Sequence, residues 1–367
     1  MKKIITSTVL SFIVAMALAI PAKRNWITVT QSDGTTLKVC LTGDEHMHFY
    51  VTSDNVPLYK DAENRFCYLK IEDGKLVSSN ILAHEAERRT AKESTAITDI
   101  TNISAYAEKK LTTRNANTMK EIKRLPGKDD KSVFQGKKKA PVILAYFSDK
   151  SFSKDDESIK AFYNDVLNKE GFSQYGAAGS VHDYFSVMSR GAFDLSFDVI
   201  GPVKVSKSAT YYGGPSAIMG GTDHIGEFIT EAIKNADAQY DIDWTKYDWD
   251  GDGEVEQVFV LYAGYGQATG GPTGTIWPNA WTLDEALQNS DGNGGFSIDG
   301  VFINQYACSN ELYLDSGTVP MGLGVFCHEF SHCMGLPDMY DTNYGSTPTM
   351  GDWDLLAGGS YNGPQGI

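Results

Sequence analysis

Between Trp26 and Leu82 apolar and polar residues alternate in short runs separated by turn signals. Ile27-Thr28-Val29-Thr30 precedes Ser32-Asp33-Gly34, the run 37–41 precedes Thr42-Gly43-Asp44, and the run 66–71 precedes Asp73-Gly74. This pattern predicts a small, mostly antiparallel β-rich domain over 21–82. The alternation then stops. Residues 83–139 are rich in Lys, Arg, Thr, Asn and Glu and carry too few apolar positions to bury a face, so they read as an exposed basic linker. Arg88-Arg89, Lys123-Arg124 and 137–139 are its sites for trypsin-like cutting.

A different pattern begins at residue 140. The continuous apolar run 142–147 is what a strand buried on both faces requires. Helices are predicted over 155–169 and 181–190, and a half-buried strand over 193–199. Asp223 is placed to cap a further helix, because Ile225, Phe228, Ile229, Ala232, Ile233 and Ala236 share one helical face. An apolar strand over 255–262 and a helix over 321–334 complete an α+β domain spanning 140–367.

Charge divides the chain at the same boundary. Residues 1–139 hold 23 Lys+Arg against 16 Asp+Glu, a net +7, whereas 140–367 hold 9 against 31, a net −22. So acidic a domain repels nucleic acid, which is excluded as a partner, and suits divalent cations. At the start, Lys2 and Lys3 precede an apolar stretch to Ile20, with Ala17-Leu18-Ala19 supplying small residues at −3 and −1 of a cleavage site. Residues 1–20 therefore read as a secretory signal peptide, leaving a secreted or extracytoplasmic chain with no membrane span after cleavage. Five cysteines permit at most two disulfides; Cys40 and Cys67 either pair with each other or remain buried thiols.

The chemistry gathers at His328-Glu329-Phe330-Ser331-His332. Two His at i and i+4 lie on one helical face and can reach one zinc ion, with Glu329 beside them as general base for a metal-activated water. Gly335 can take the left-handed conformation that ends a helix, and Pro337 prevents its resumption. The chain then turns back and Asp338 becomes the third ligand, with Asp341 as its rival.

The stretch 328–341 resembles the extended zinc motif of the immune inhibitor A type bacterial metallopeptidases, metzincin-like enzymes with Asp in place of a third His. Residues 140–149, 179–191, 247–266 and 353–363 are similar to other segments of that family. The resemblance implies a metzincin-like zinc peptidase domain, with a mixed sheet and an active-site helix, preceded by a β-rich propeptide domain. It also implies His328, His332 and Asp338 as zinc ligands and Glu329 as catalytic base. Metzincins place a Met beneath the zinc, where this chain has Leu356, of similar volume. Tyr361, in the same turn, is a candidate for stabilising the oxyanion, though packing serves it equally. The chain ends at Ile367, soon after this turn, which reads as a C-terminally truncated domain.

A second cluster lies at 248–256, where Asp248, Asp250, Asp252, Glu254 and Glu256 alternate as in a calcium loop. Position 12 is Phe259, so this is no EF-hand. The expectation is structural calcium, with Asp241 or Asp243 completing the shell. His46 and His48 read as exposed polar residues, and His182 and His224 as capping or surface residues.

These readings converge on a secreted zinc-dependent endopeptidase made as a precursor, acting on protein or peptide substrates and restrained by its own N-terminal domain. The rival is a calcium-stabilised surface adhesin or binding module on an inactive protease fold.

Overall fold

The computed structural model describes residues 20–61, 63–73, 75–98, 131–214, 222–287, 294–315, 317–342 and 349–362. The first nineteen residues of the expected signal peptide and most of the expected linker lie outside these.

The predicted hairpins form an antiparallel meander of six strands paired in sequence order: β1 (Trp26–Thr30), β2 (Thr36–Gly43), β3 (His48–Thr52), β4 (Pro57–Lys60), β5 (Phe66–Glu72) and β6 (Lys75–Leu82). Cys40 on β2 and Cys67 on β5 are separated by two strands and are buried free thiols, so no disulfide joins them.

The chain does not become an exposed linker at residue 83. Ala83 is buried, and helix α1 (Ala91–Thr98) packs back on the meander. A reciprocal cap starts this helix: the Thr90 N–H donates to Glu93 Oε2 at 2.7 Å, and the Glu93 N–H to Thr90 Oγ1 at 3.3 Å. Glu93 also meets His84 Nδ1 at 2.7 Å, and His84 Nε2 reaches Asp33 at 2.8 Å. These polar contacts, centred on the buried Glu93 carboxylate, dock a segment whose composition alone looked solvated.

The second unit is a mixed sheet in the order β10-β13-β9-β7-β8, comprising β7 (Gly136–Tyr146), β8 (Phe193–Lys204), β9 (Val258–Tyr265), β10 (Asn279–Thr282) and β13 (Gln305–Leu312). The edge strand β10 is antiparallel to β13, while the other three pairings are parallel. A small hairpin, β11 (Phe296–Ile298) with β12 (Val301–Ile303), lies outside the sheet. Strand β7 starts at Gly136, inside the segment read as linker, because Gly136 through Lys139 pair with the start of β8.

The unbroken apolar run of β7 has the physical cause expected of it, since side chains alternate between two cores. Ile143 and Ala145 pack with Phe228, Ile229 and Ile233 of α4 (Ile225–Tyr240), as the shared apolar face predicts. Its first residue is preceded by His224 in the capping position, not Asp223, and no side chain caps it. Val142 and Leu144 face the other core, built with α2 (Asp156–Asn168), α3 (Val181–Met188) and α5 (Leu323–His332). Aromatic rings fix α5 on the sheet: Phe326 stacks on Phe259 with centroids 3.8 Å apart, and Phe330 meets Phe185 and Phe197 at 5.5 Å. These contacts set the rotation of α5, and with it the direction in which its His residues point.

A third core joins the two units. Ile20, Leu37, Val39, Phe49, Leu58 and Tyr68 of the first pack with Ala268, Trp277, Met321 and Val325 of the second.

Candidate active site

His328, Glu329 and His332 are all buried near the end of α5. His328 Nδ1 lies 2.7 Å from the Leu355 carbonyl oxygen, and His332 Nδ1 lies 2.7 Å from that of Leu336. A carbonyl only accepts, so each Nδ1 carries the hydrogen and each Nε2 presents a lone pair. Among the described residues neither Nε2 has a hydrogen-bond partner. Burial lowers the pKa of His332 well below its ordinary value, which keeps it neutral as a ligand must be.

The returning loop supplies the third donor. Gly335 has φ +78°, and its N–H closes the helix on the His332 carbonyl at 2.9 Å. Asp338 Oδ1 then stands 3.2 Å from His328 Nε2 and 3.6 Å from His332 Nε2. Donors bound at about 2.0 Å to a tetrahedral ion are separated by about 3.3 Å, so two imidazoles and a carboxylate at these spacings fit zinc. Asp338 is a carboxylate brought to both imidazoles. Leu356 is buried, and its carbonyl holds the Met339 N–H at 2.7 Å, tying the returning loop to the turn beneath the imidazoles.

Glu329 Oε1 accepts a hydrogen bond from the Ile20 N–H at 2.8 Å, across 309 residues of chain. Burial, with the nearby carboxylates of Asp338 and Glu45, pushes its carboxyl well above the ordinary range. Residues 20–23 lie over the site. The Trp277 indole N–H donates to the Ile20 carbonyl at 2.9 Å, the Tyr361 hydroxyl to the Pro21 carbonyl at 2.8 Å, and the Lys23 N–H to the Ala268 carbonyl at 2.8 Å. Sequence reasoning found Tyr361 but missed Trp277 and Ala268, because nothing local marks a residue whose partner arrives from the far end of the chain.

A sequence profile of the immune inhibitor A peptidase M6 catalytic domain matches residues 135–366. The chain belongs to the immune inhibitor A peptidase family. Its relatives include a protein named pre-pro-metalloprotease PrtV from Vibrio cholerae, 26% identical over 302 residues, covering 70% of this chain and 32% of the relative. Immune inhibitor A of Bacillus thuringiensis subsp. alesti is 26% identical over 263 residues, covering 62% of this chain and 37% of that protein. A putative secreted metallopeptidase of Arthroderma benhamiae is 28% identical over 231 residues, covering 57% and 32%. The matched region thus spans about a third of the length of these curated relatives. Among the described residues of this family member no helix is long and apolar enough to cross a membrane.

The acidic loop of this M6 peptidase domain is only partly gathered. Oxygens of Asp248, Asp250 and Glu256 come within 4.8 Å of one another. Asp252 accepts the Glu254 N–H at 2.8 Å and lies beside Asp250 and Asp248, and burial together with these two carboxylates raises its pKa. Asp243 accepts from the Thr245 hydroxyl at 2.6 Å, and Asp241 is the left-handed residue ending α4. Burial, reinforced by Asp250 and Asp248, raises Glu256 to about 8.

His48 is not an exposed polar residue. It is buried between the units, with Nδ1 3.0 Å from the Asp44 carbonyl, Nε2 2.7 Å from Gln267 Oε1, and its ring 4.4 Å from that of Trp277. Burial lowers its pKa. Strand alternation predicted one exposed face, but the second unit covers it. His182 meets the Leu195 carbonyl at 2.8 Å, and His224 pairs with Glu227 at 2.9 Å.

Proposed function

We propose that this chain is a secreted, zinc-dependent endopeptidase made as a precursor. The observation that carries the reading is the pair of buried Nε2 lone pairs converging with Asp338 Oδ1 at 3.2 and 3.6 Å. Zinc, when bound, supplies a Lewis acid that polarises a scissile carbonyl and acidifies water. His328, His332 and Asp338 hold it. Glu329 takes a proton from the attacking water and delivers it to the leaving amine. Tyr361 flanks the same cleft and can donate to a developing oxyanion once Pro21 has left its hydroxyl.

The N-terminal domain acts as an intramolecular inhibitor in this reading. Residues 20–23 fill the cleft, and Ile20 occupies the base. The small residues Ala17 and Ala19 set the signal cut after Ala19, one residue before the expected boundary at 20, so Ile20 stays with the chain and its nitrogen becomes the α-amino group, adding a positive charge beside Glu329. Although the two halves carry opposite net charge, the contact between them is largely apolar, with Lys60 in the field of Asp315 as a charged component. Docking that depends little on salt follows from this.

Calcium is the proposed occupant of Asp248, Asp250 and Glu256, whose close carboxylates repel one another without a cation.

The test is hydrolysis of casein by the proteolytically processed chain, with and without a zinc chelator, alongside Glu329→Ala. Loss of cleavage in both cases supports the reading. Equal cleavage by wild type and Glu329→Ala, or none by a folded and processed wild type, rejects it.

A further inference from the structure

The segment in the cleft also reports how the cleft reads a peptide. Glu329 is the group that protonates the leaving amine, and the Ile20 nitrogen stands 2.8 Å from it. Ile20 therefore takes the place of the first residue on the leaving side, and Lys23 that of the fourth. Lys23 is anchored at both ends. Its main chain donates to the Ala268 carbonyl at 2.8 Å, and its ammonium contacts the Tyr313 hydroxyl. The same ammonium lies 4.4 Å from the centroid of the Tyr313 ring and 5.6 Å from that of Tyr361.

Both rings belong to the second unit. Tyr313 is held by its N–H on the Val319 carbonyl at 2.9 Å, and Tyr361 stands in the turn Gly358–Tyr361, which packs against α5. The pair of tyrosines therefore persists when the N-terminal domain leaves. A partly buried site with two ring faces and a phenolic oxygen favours a cation on a long apolar stem. We infer that Tyr313 and Tyr361 form a subsite for a basic side chain, so that substrates with Lys or Arg four residues beyond the scissile bond are preferred. This deepens the peptidase reading and rests on it.

The test uses the full chain after limited proteolysis, with two measurements. In the first, calorimetry compares binding of the tetrapeptides Ile-Pro-Ala-Lys and Ile-Pro-Ala-norleucine, which differ only in the charge and its donors. In the second, quenched peptides carrying these sequences after the scissile bond are compared by kcat/KM, with the cut verified by mass. The expected result is roughly tenfold tighter binding and higher kcat/KM for the Lys peptide, expressed mainly in KM. Tyr313→Leu is expected to abolish the ratio, while Tyr313→Phe, which keeps the ring, retains most of it. Equal binding of the two tetrapeptides, or a ratio that survives in Tyr313→Leu, overturns the subsite. Lys-selective binding without any hydrolysis of casein leaves the subsite standing and rejects the peptidase reading instead.

Discussion

Replacing His48 by Ala tests how the N-terminal domain is held over the cleft, without touching the residues of the proposed catalytic site. The wild-type imidazole packs against Trp277 with ring centroids 4.4 Å apart and planes tilted by 31°, and meets Gln267 Oε1 at 2.7 Å in a buried setting. An aromatic contact of this kind contributes about 0.5–1.5 kcal/mol. Removing the hydrogen-bond partner of a buried amide oxygen costs a further 1–3 kcal/mol or so. Docking of the domain should therefore weaken by about 2–4 kcal/mol, or roughly 30- to 1,000-fold in the docked-to-open ratio. The assay is the initial rate of peptide hydrolysis by the intact precursor, before any processing. Its activity should rise by a similar factor, up to that of the processed enzyme, while processed wild type and variant remain equal. His48→Phe should fall between the two, because it keeps the ring but not the hydrogen bonds. An unchanged precursor rate in His48→Ala would refute the reasoning.

Three further outcomes are expected. Glu311 accepts the N–H groups of Ser153 at 2.7 Å and Gly264 at 3.0 Å from within the sheet, so Glu311→Ala strands the buried Gly264 donor, removes the partner of a part-buried one and empties a buried site. That substitution should cost about 3 kcal/mol, seen calorimetrically as a fall in Tm of roughly 6–12 °C. Saturating calcium should raise Tm by about 5 °C or more in wild type but not in Asp248→Asn combined with Glu256→Gln. His84 is opposed by burial, but hydrogen bonds to Asp33 and Glu93 outweigh this and raise its pKa, with Tyr68 and Arg89 also packed beside it. A raised His stabilises fully below about 6.5 and ceases to do so as pH rises through its folded value. Amide exchange over 91–98, corrected for intrinsic rates, should accelerate across that window and lose this dependence in His84→Gln.

Local chemistry was the most legible part of the sequence. His328, Glu329 and His332 lie within one and a half turns of helix, so their convergence follows from helical geometry, and Gly335 signalled the return that brings Asp338 back. The meander and β7 were equally plain, since alternation and continuous apolarity each have one structural cause. What eluded the sequence was burial created by distant partners. Strand β13 is buried at all eight positions, yet Gln305, Ser309, Asn310 and Glu311 hide it in the sequence; Asn310 and Glu311 find their partners inside the protein. His48 looked exposed until the second unit covered its face, and Ile20 carried no sign that its amide would meet Glu329. The acidic loop sits between these cases: its spacing was visible, but which carboxylates converge was decided by the turn.

The central claim is that His328, His332 and Asp338 hold a zinc ion beside Glu329. X-ray absorption at the zinc edge of the purified chain tests it most directly. One zinc per chain is predicted, with nitrogen and oxygen neighbours at about 2.0 Å and the outer-shell scattering of two imidazoles. No bound zinc, or a first shell dominated by sulfur at about 2.3 Å, would contradict it.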